Sequence, residues 1–381
     1  MSETQKHTKP NVPNLRFPGF EGEWEWETNE KLFNVSKEKN RGGKYSSVLS
    51  ASQSEGMIER SSLGIDIKYE EDSVLGYKVV HPGDYVIHLR SFQGGFAFSN
   101  RTGICSPAYT ILKPSPSLSY GFLSNYFTSQ KFIDSLRIVT YGIRDGKSIS
   151  VDEWLKLSTC FPKALEEQRK IKAFLSLLDE RITLQNKVIE RYESLIRAIY
   201  HETLSNAQGT IITLGDLVQI KKGAQLNGEN LLTVGKYYVM NGGITPSGFY
   251  DSYNTPGEII SISEGGNSCG YVQYNALPFW SGGHCYTLIP QPQYRDMAKY
   301  KYLYHYLKYH QDDIMAMRIG SGLPNIQKKD LERFQVMLLE TQIQERYMVL
   351  FDAVDSAISI ENALLNKLIE SKKYLISQMF I

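Results

Sequence analysis

Several features that mark common classes of protein are missing from this sequence of 381 residues. It has four cysteines and no C-x-x-C pair, which argues against a disulfide framework and favours a reduced compartment. No apolar run is long enough to span a bilayer, and the polar N-terminus lacks the apolar stretch of a secretory signal. The net charge of +1 argues against a protein that simply coats nucleic acid. We therefore expect a cytoplasmic protein without a membrane partner.

The motifs of common catalytic sites are missing as well. Gly146-Lys147-Ser148 resembles the end of a phosphate loop, but Tyr141 stands where that loop needs its first glycine. The sequence has no Pro-Asp dipeptide, which common nucleases use, and Ser106-Pro107-Ala108-Tyr109 matches the motif of amino-methyltransferases poorly. The spacing of Cys269 and the pair His284-Cys285 fits no zinc pattern. We expect no catalytic residue, no bound cofactor and no metal site. A methyltransferase or nuclease in its own right is the weakest of the alternatives.

What the sequence does contain is a repeated helical segment, with its two copies about 176 residues apart. Gln168 and Asp179 of the first copy correspond to Gln344 and Asp355 of the second. Apolar residues recur at alternating spacings of four and three in both copies, which is typical of a coiled coil. The seam of the first copy contains Ile171, Leu175, Leu178, Ile182, Gln185, Ile189, Tyr192, Ile196 and Ile199, and that of the second contains Tyr347, Phe351, Val354, Ile358, Glu361, Leu365, Leu368, Lys372 and Leu375.

We expect the two seams to pair with each other within the chain, as an antiparallel coiled coil. Gln185 and Glu361 put a polar residue at the same seam position, and such residues fix the register of a coiled coil. A helix over residues 166–205 would be roughly 60 Å long at 1.5 Å per residue, enough to hold two modules apart. The alternative is two separate amphipathic helices that pack on two separate cores.

Each helical copy is preceded by an irregular module rich in aromatic residues and glycine. Of the 25 tyrosines, 13 lie between Tyr237 and Tyr309. Runs of strand character alternate with turns, at residues 77–80 and 85–89 and again at 237–240 and 258–262. Helical spacing is predicted at residues 120–136 and 300–314.

The predicted fold class is α+β, with two mixed α/β modules separated by a pair of long antiparallel coiled-coil helices in a pseudo-two-fold internal repeat. The predicted domains are an aromatic N-terminal docking tail (1–30), the first module (31–150), the central repeat helix (151–209), the second module (210–330) and the C-terminal repeat helix (331–381).

Loops that combine glycine with basic or amide side chains recur in both modules. Arginine reads guanine and asparagine or glutamine reads adenine in the major groove, whereas lysine contacts phosphates. Any one such loop is typical of an ordinary turn, so the prediction depends on their recurrence. The net charge is +5 over residues 31–150 and +1 over residues 210–330. The candidate DNA-binding residues are Arg41, Lys44, Arg90, Gln93, Arg144 and Lys147 in the first module and Lys221, Lys222, Asn241, Asn267 and Arg318 in the second.

These motifs resemble the DNA-specificity subunits of type I restriction–modification systems, over nearly the full length of the chain. The doubled helical segment is the strongest signature, although the second copy has Ile343 in place of Glu167 and lacks the proline that Pro162 supplies. The other matching motifs are Arg16-Phe17-Pro18-Gly19-Phe20, Phe92-Gln93-Gly94-Gly95 and Ser106-Pro107-Ala108-Tyr109 before the first copy, and Asn241-Gly242-Gly243, Ile262-Ser263-Glu264-Gly265-Gly266 and Phe279-Trp280-Ser281-Gly282-Gly283 before the second.

The resemblance implies a non-catalytic subunit whose two target-recognition domains each read one half of an interrupted double-stranded DNA target. The paired helices would then set the unread spacer and dock two modification subunits, which carry adenine methylation with S-adenosylmethionine. Two restriction subunits, which carry ATP- and Mg²⁺-dependent translocation and cleavage, would join them. The weak net charge keeps a second hypothesis open: a coiled-coil scaffold whose two modules bind protein or glycan.

Overall fold

The computed structural model describes residues 10–52, 55–63, 71–88, 95–141, 148–206, 208–294, 297–320 and 322–381. The chain divides into two compact units. The first comprises Met1–Asn186 and Ala363–Ile381, and the second comprises Lys187–Asn362. Each unit combines strands with helices. Within the described residues, no helix has both the length and the apolar character needed to cross a membrane.

The first unit is built from short strands around an aromatic core that includes the fully buried Trp24, Phe127 and Trp154. Four of its strands form an antiparallel sheet in the order β2-β9-β6-β7. The strands are β1 (Glu25–Thr28), β2 (Phe33–Ser36), β3 (Leu49–Ser52), β4 (Gly56–Glu59), β5 (Lys78–Val80), β6 (Tyr85–Ile87), β7 (Phe96–Phe98), β8 (Gly103–Cys105), β9 (Thr110–Pro114), β10 (Thr140–Tyr141), β11 (Ser148–Ile149) and β12 (Ser158–Phe161). The short helices are α1 (Asn29–Leu32), α2 (Gln130–Ser135) and α3 (Val151–Lys156), and the long helix α4 (Leu165–Asn206) begins in this unit.

The second unit contains an antiparallel sheet of the same design, in the order β14-β20-β17-β18, and a three-stranded sheet in the order β16-β15-β19. Its strands are β13 (Gly209–Thr213), β14 (Val218–Lys222), β15 (Tyr237–Met240), β16 (Gly248–Tyr250), β17 (Ile259–Ser263), β18 (Val272–Asn275), β19 (Trp280–Ser281), β20 (Cys285–Pro290) and β21 (Gln335–Leu339). Its short helices are α5 (Leu214–Leu217), α6 (Met297–Tyr309), α7 (Gln311–Ala316) and α8 (Lys328–Glu332), and the long helix α9 (Thr341–Met379) begins in this unit.

The duplication seen in the helical segments extends to these sheets. In both units a short helix leads into an edge strand, α1 into β2 and α5 into β14. The first residue of each edge strand pairs with the last residue of the neighbouring strand: Phe33 with Pro114, and Val218 with Pro290. The strands β6 and β7 therefore occupy the same places in the first sheet as β17 and β18 occupy in the second. A two-stranded ladder also precedes each long helix, β1-β12 before α4 and β13-β21 before α9. Each module is thus one copy of a common framework.

Within each unit the long helices run antiparallel to each other. In the first unit Asp179, near the start of α4, forms an ion pair with Lys372, near the end of α9. In the second unit Tyr200, near the end of α4, stacks on Phe351, near the start of α9, with ring centroids 4.1 Å apart. Every seam residue named above is buried or half-buried, as are the polar seam residues Gln185 and Glu361.

Two predicted helices are interrupted in the structure. The apolar spacing predicts one helix over residues 120–136, but only Gln130–Ser135 is α-helical, preceded by a turn and the single 3₁₀ turn Tyr126–Thr128. Ser129 is extended there and caps the helix, since its hydroxyl accepts a hydrogen bond from Phe132 N at 3.2 Å. The second predicted helix, 300–314, breaks at His310, where α7 begins with Asp312 and Asp313 in its first turn. Apolar spacing alone does not reveal that one helix begins after Ser129 and the other after His310.

Candidate nucleic-acid interface

Four loops of the second unit converge at one end of the sheet β14-β20-β17-β18. The backbone N–H of Gly223, just after β14, donates to Cys285 O at 2.9 Å. The N–H of Glu264, just after β17, donates to His284 O at 2.9 Å. The N–H of Gly282 donates to a third loop, at Met240 O. We call these segments, residues 221–225, 241–243, 263–270 and 281–285, the loop cluster.

The glycines of the loop cluster allow its backbones to approach closely. A Cβ atom on Gly223 would lie 2.3 Å from Gly282 O, and one on Gly282 would lie 2.5 Å from the Asn241 side chain. Gly242 has a φ of +83°, which favours glycine, and its Cβ would also crowd His284. The glycine pairs, which in the sequence resemble flexible turns, are therefore packing positions, and they fix where the neighbouring polar side chains lie.

A nearly buried carboxylate, Glu264, lies at the centre of the loop cluster, next to Lys222 and His284. Lys222 Nζ lies 2.5 Å from Glu264 Oε1, and His284 Nδ1 lies 3.3 Å from Oε2. The Tyr286 hydroxyl donates to Oε1 at 3.2 Å; burial and this carboxylate raise the pKa of Tyr286 to about 12, so the phenol remains a donor. The Glu264 side chain is 12% exposed, whereas Lys222 is 51% and His284 60% exposed. The carboxylate thus holds the Lys222 ammonium by a hydrogen bond, while His284 lies beside Oε2 without one.

The structure brings most of the predicted residues of the second module to this cluster. Asn241 Oδ1 accepts a hydrogen bond from His284 N at 3.2 Å, and Asn267 is exposed on the loop that follows Glu264. Arg318 is also exposed. Its neighbour Ile319 forms a β-bridge with Asn325, and Asn325 forms a second one with Gly265, which connects the segment of Arg318 to the loop cluster. Lys221 is exposed on the edge strand β14. Lys222 is not free, because Glu264 holds its ammonium group.

In the first unit, Arg41 and Lys44 are both exposed on one tight turn. Asn40, which is buried, organises this turn: its carbonyl accepts from Gly43 N at 3.1 Å, and its side-chain amide donates to Tyr45 O at 2.8 Å. Lys44 Nζ lies 5.2 Å from the centroid of the Tyr45 ring, a cation–π distance. The turn therefore presents two cations on a rigid base.

A carboxylate, Glu38, also binds nitrogen-bearing side chains next to this turn. Glu38 Oε2 lies 3.1 Å from His81 Nε2 and 3.3 Å from Lys113 Nζ. Partial burial opposes ionisation, but hydrogen bonds from His81 and Lys113 lower the pKa of the Glu38 carboxyl overall. The His81 ring in turn makes an edge contact with Tyr45, at 6.2 Å between centroids. Both units therefore combine a glutamate, a histidine and a lysine beside a glycine turn.

Sequence reasoning does not single out Glu38, His81, Glu264 or His284 as site residues. The available signal is a polar residue directly next to a glycine pair, as in Glu264-Gly265-Gly266 and Gly282-Gly283-His284. Four predicted residues lie outside the described part of the chain: Arg90, Gln93, Arg144 and Lys147. Arg90 and Gln93 belong to the connection between β6 and β7. In the second unit the equivalent connection joins β17 to β18, and it contains Glu264 and Asn267.

Comparison with known proteins identifies relatives of this chain. Residues 209–370 match the family model of the type I restriction modification DNA specificity domain. A putative type I specificity subunit of Mycoplasma pneumoniae is 34% identical over 172 residues, which are 45% of this chain and 44% of that protein. A putative type I specificity subunit of Mycoplasma genitalium is 35% identical over 133 residues, 35% of this chain and 34% of that protein. The chain thus spans less than half of the length of these curated relatives.

Solved structures resemble nearly the whole chain. The crystal structure of a type I restriction–modification system S subunit from M. genitalium has a TM-score of 0.62 at 21% identity, covering 97% of this chain and 99% of that one. A chain from a study of complex assembly and conformational transition of the type I restriction–modification system has a TM-score of 0.51 at 16% identity, covering 96% and 98%. These likenesses confirm the predicted α+β fold class with two mixed modules and long helices.

Proposed function

Because residues 209–370 match the family model of the type I restriction modification DNA specificity domain, we propose that this chain is the sequence-reading subunit of a type I restriction–modification complex. This match supports, over these residues, the resemblance seen in the sequence. In the proposal each module reads one half of a split double-stranded DNA target. The observation that supports it most is the loop cluster of the second unit, where glycine-packed loops hold basic and amide side chains at one end of the sheet.

We infer a division of labour among these side chains. Lys221 and Arg318 are exposed, and so are Arg41 and Lys44 in the first module, which suits contacts with phosphates. Asn241 and Asn267 carry the amide groups that read adenine edges in the major groove. Lys222 contributes a cation whose position Glu264 fixes. In the first module we keep four further candidates for contacts with phosphates or bases: Arg90, Gln93, Arg144 and Lys147.

We propose that the paired helices set the spacer between the two half-sites. The pairing residues in this proposal are the seam positions, most of all Ile171, Leu175, Leu178, Ile182, Gln185 and Ile189 on α4 and Tyr347, Phe351, Val354, Ile358, Glu361 and Leu365 on α9. Outside the seam the helices carry exposed apolar side chains, for example Leu177 (63%) and Leu184 (55%) on α4 and Val349 (75%) and Ile360 (67%) on α9. Such exposed residues suit the docking of a partner protein, here the modification subunits.

We assign no chemical step to this chain. In the proposal two modification subunits bind S-adenosylmethionine and methylate adenine, and two restriction subunits use ATP and Mg²⁺ to translocate and cleave DNA. The complex assembles on this chain and works in the cytoplasm. The specificity of the whole complex then resides in the two modules.

The proposal is tested by the methylome of a methylation-free host that expresses this chain with a matching modification subunit. We expect a split motif with adenine methylation on both strands, absent when either gene is omitted. Replacing residues 31–150 by the corresponding module of another family member should change one half of the motif and leave the other half intact. An unmethylated genome, with both proteins shown to be folded and associated, would contradict the proposal.

A further inference from the structure

A polar cavity lies in the second unit between β18, α6 and the part of α9 that contains Asp352 and Asp355. Its volume is about 190 Å³, and it is lined by Tyr274, Lys301, Tyr304, His305, Asp352 and Asp355. None of these lining residues belongs to the loop cluster, and the proposed DNA reading does not use the cavity. Its lining includes two carboxylates, one lysine and a buried imidazole.

The imidazole of His305 is the best-defined wall of this cavity. Its side chain is only 4% exposed, and its two ring nitrogens face two different carboxylates: Nε2 lies 3.7 Å from Asp352 Oδ1, and Nδ1 lies 3.7 Å from Asp355 Oδ2. Both distances exceed hydrogen-bond length. A single metal ion cannot bind both nitrogens of one ring, so this arrangement does not suit a metal centre. A hydrogen-bond donor placed between the ring and a carboxylate would suit it.

The two aspartates differ in how their charge is balanced. Lys301 Nζ donates to Asp352 Oδ2 at 2.9 Å. Among the described residues, no ammonium or guanidinium group forms a hydrogen bond with Asp355. Lys308 is close enough to affect Asp355, but its ammonium donates to Val272 O and Gln311 Oε1 instead. Burial and the neighbouring Asp352 raise the pKa of Asp355 to about 6. The Asp355 side chain is 41% exposed, and the Lys308 ammonium acts on its carboxylate without forming a hydrogen bond to it.

The first copy of the repeat shows what such a cation does. Asp179, which corresponds to Asp355, accepts a hydrogen bond from the ammonium group of Lys372 on the paired helix and another from Asn125 Nδ2, at 3.1 Å. In the second unit the residue that corresponds to Lys372 is Ile196. Tyr200 stacks on Phe351, so one helical turn away Ile196 of α4 lies opposite Asp355 of α9. The second unit therefore keeps the acid but has Ile196, which carries no charge, where the first unit has Lys372.

We propose that this cavity binds a primary ammonium or guanidinium group from outside the chain, at the place that an in-chain lysine fills in the first unit. Asp355 accepts its charge-assisted hydrogen bonds, Asp352 and His305 Nδ1 or Nε2 complete the polar wall, and Tyr274 and Tyr304 flank it. The group is carried either by a small organic cation or by a lysine or arginine side chain of a docked protein. The inference does not depend on DNA reading by the modules.

The experiment uses the full chain with ¹³C-labelled histidine, because only seven histidines are present and a His305→Gln variant assigns the ring signal of His305. Methylammonium and methylguanidinium are titrated at constant ionic strength against sodium. We expect saturable movement of the His305 signal, with affinity weakened about tenfold or more in Asp355→Asn, because a hydrogen bond to a charged group is lost. Ile196→Lys should abolish the response by supplying an ammonium group within the chain. Ile196→Met, of similar length but uncharged, should respond like the wild type.

A second arm adds a purified modification subunit in place of the small cations. If only the subunit moves the His305 signal, and Ile196→Lys blocks that movement, the cation is a basic side chain of the docked protein. This arm rests on the proposed function, whereas the small-cation arm is carried out on the chain alone. The inference is overturned if Asp355→Asn and Ile196→Lys, shown to be folded by thermal melting, respond as the wild type does. It is equally overturned if neither the cations nor the subunit moves the signal.

Discussion

Glu167 accepts two parallel hydrogen bonds from one edge of the Arg16 guanidinium. Arg16 Nε lies 2.8 Å from Glu167 Oε1, and Arg16 Nη2 lies 2.8 Å from Oε2. The Trp24 indole N–H donates to the same carboxylate at 3.2 Å, and the Glu167 side chain is 2% exposed. The N-terminal segment is thereby tied to the first turn of α4. Ile343 stands at the corresponding place of the second repeat, so α9 has no such carboxylate there.

Removing Arg16 should destabilise the first unit strongly. In Arg16→Ala the buried carboxylate of Glu167 keeps only the neutral indole donor, and an uncompensated buried charge costs about 3 kcal/mol. We expect the free energy of unfolding, measured by urea denaturation, to fall by about that amount. Lys113→Ala is the control, since its ion pair with Glu38 is about two-fifths exposed on both sides. Such a pair contributes about 1 kcal/mol or less. Equal losses in the two variants would contradict the assigned role of Arg16.

The helical repeat and its seam are predictable because a period of about 3.5 residues is written into a single continuous segment. That period alone places Gln185 and Ile189 on the buried face. The sheets are not predictable in the same way, because β6, β7 and β8 are three residues long and carry no measurable period. The match between β2-β9-β6-β7 and β14-β20-β17-β18 becomes visible only through pairing between distant residues. The same holds for the loop cluster, where Lys222 and Glu264 meet across 42 positions of sequence.

The glycines of the loop cluster provide a second test. Gly223→Ala places a methyl group 2.3 Å from Gly282 O, so two loops must separate. We expect a loss of about 1–3 kcal/mol, typical of overpacking, and loss of methylation at one half-site. Gly228→Ala is the matched control, because no atom lies within 4 Å of its added Cβ and it should change stability by less than about 0.5 kcal/mol. Unchanged methylation in a folded Gly223→Ala protein would show that the cluster does not read DNA.

The exposed charges of the cluster should determine how binding depends on salt. Lys221→Ala removes one exposed cation, so the slope of log K against log salt should decrease by about 1 if it contacts a phosphate. Glu264→Gln removes the negative charge that holds the Lys222 ammonium, so we expect tighter binding to non-specific DNA and a steeper slope. Fluorescence anisotropy of labelled DNA at four salt concentrations measures both. Asp312→Asn, an exposed residue of α7, is the control for the change in net charge. A Glu264→Gln effect no larger than that of Asp312→Asn would contradict the anchoring role of Glu264.

The buried His305 should make the second unit sensitive to acid. Burial lowers its pKa from 6.5 to about 4, so its neutral form is favoured in the folded state. This contribution is complete above pH 6.5 and is lost as the pH falls through 4; the shift corresponds to about 3 kcal/mol. Asp355 acts in the opposite sense, since its raised pKa stabilises the fold at low pH and that contribution is lost as the pH rises through about 6. Both the wild type and His305→Gln contain Asp355, so the difference between their pH profiles reports the contribution of the imidazole.

In urea denaturation between pH 7 and pH 4, the wild type should lose more stability than His305→Gln. Parallel pH profiles for the two proteins would show that the imidazole is protonated as easily in the folded chain as in the unfolded one.

If the paired helices set the spacer, lengthening them should change the spacer alone. One heptad inserted beside Gln185 in α4, with a matching heptad near Glu361 in α9, keeps the seam in phase because the apolar pattern repeats every seven residues. The insertion adds about 10 Å to each helix, which corresponds to about three base pairs of B-form DNA. The methylome should show both half-sites unchanged and a longer unread gap between them. An insertion in α4 alone is the control, since it leaves the two seams unmatched and should abolish methylation. Altered half-sites with an unaltered gap would mean that the helices do not set the distance.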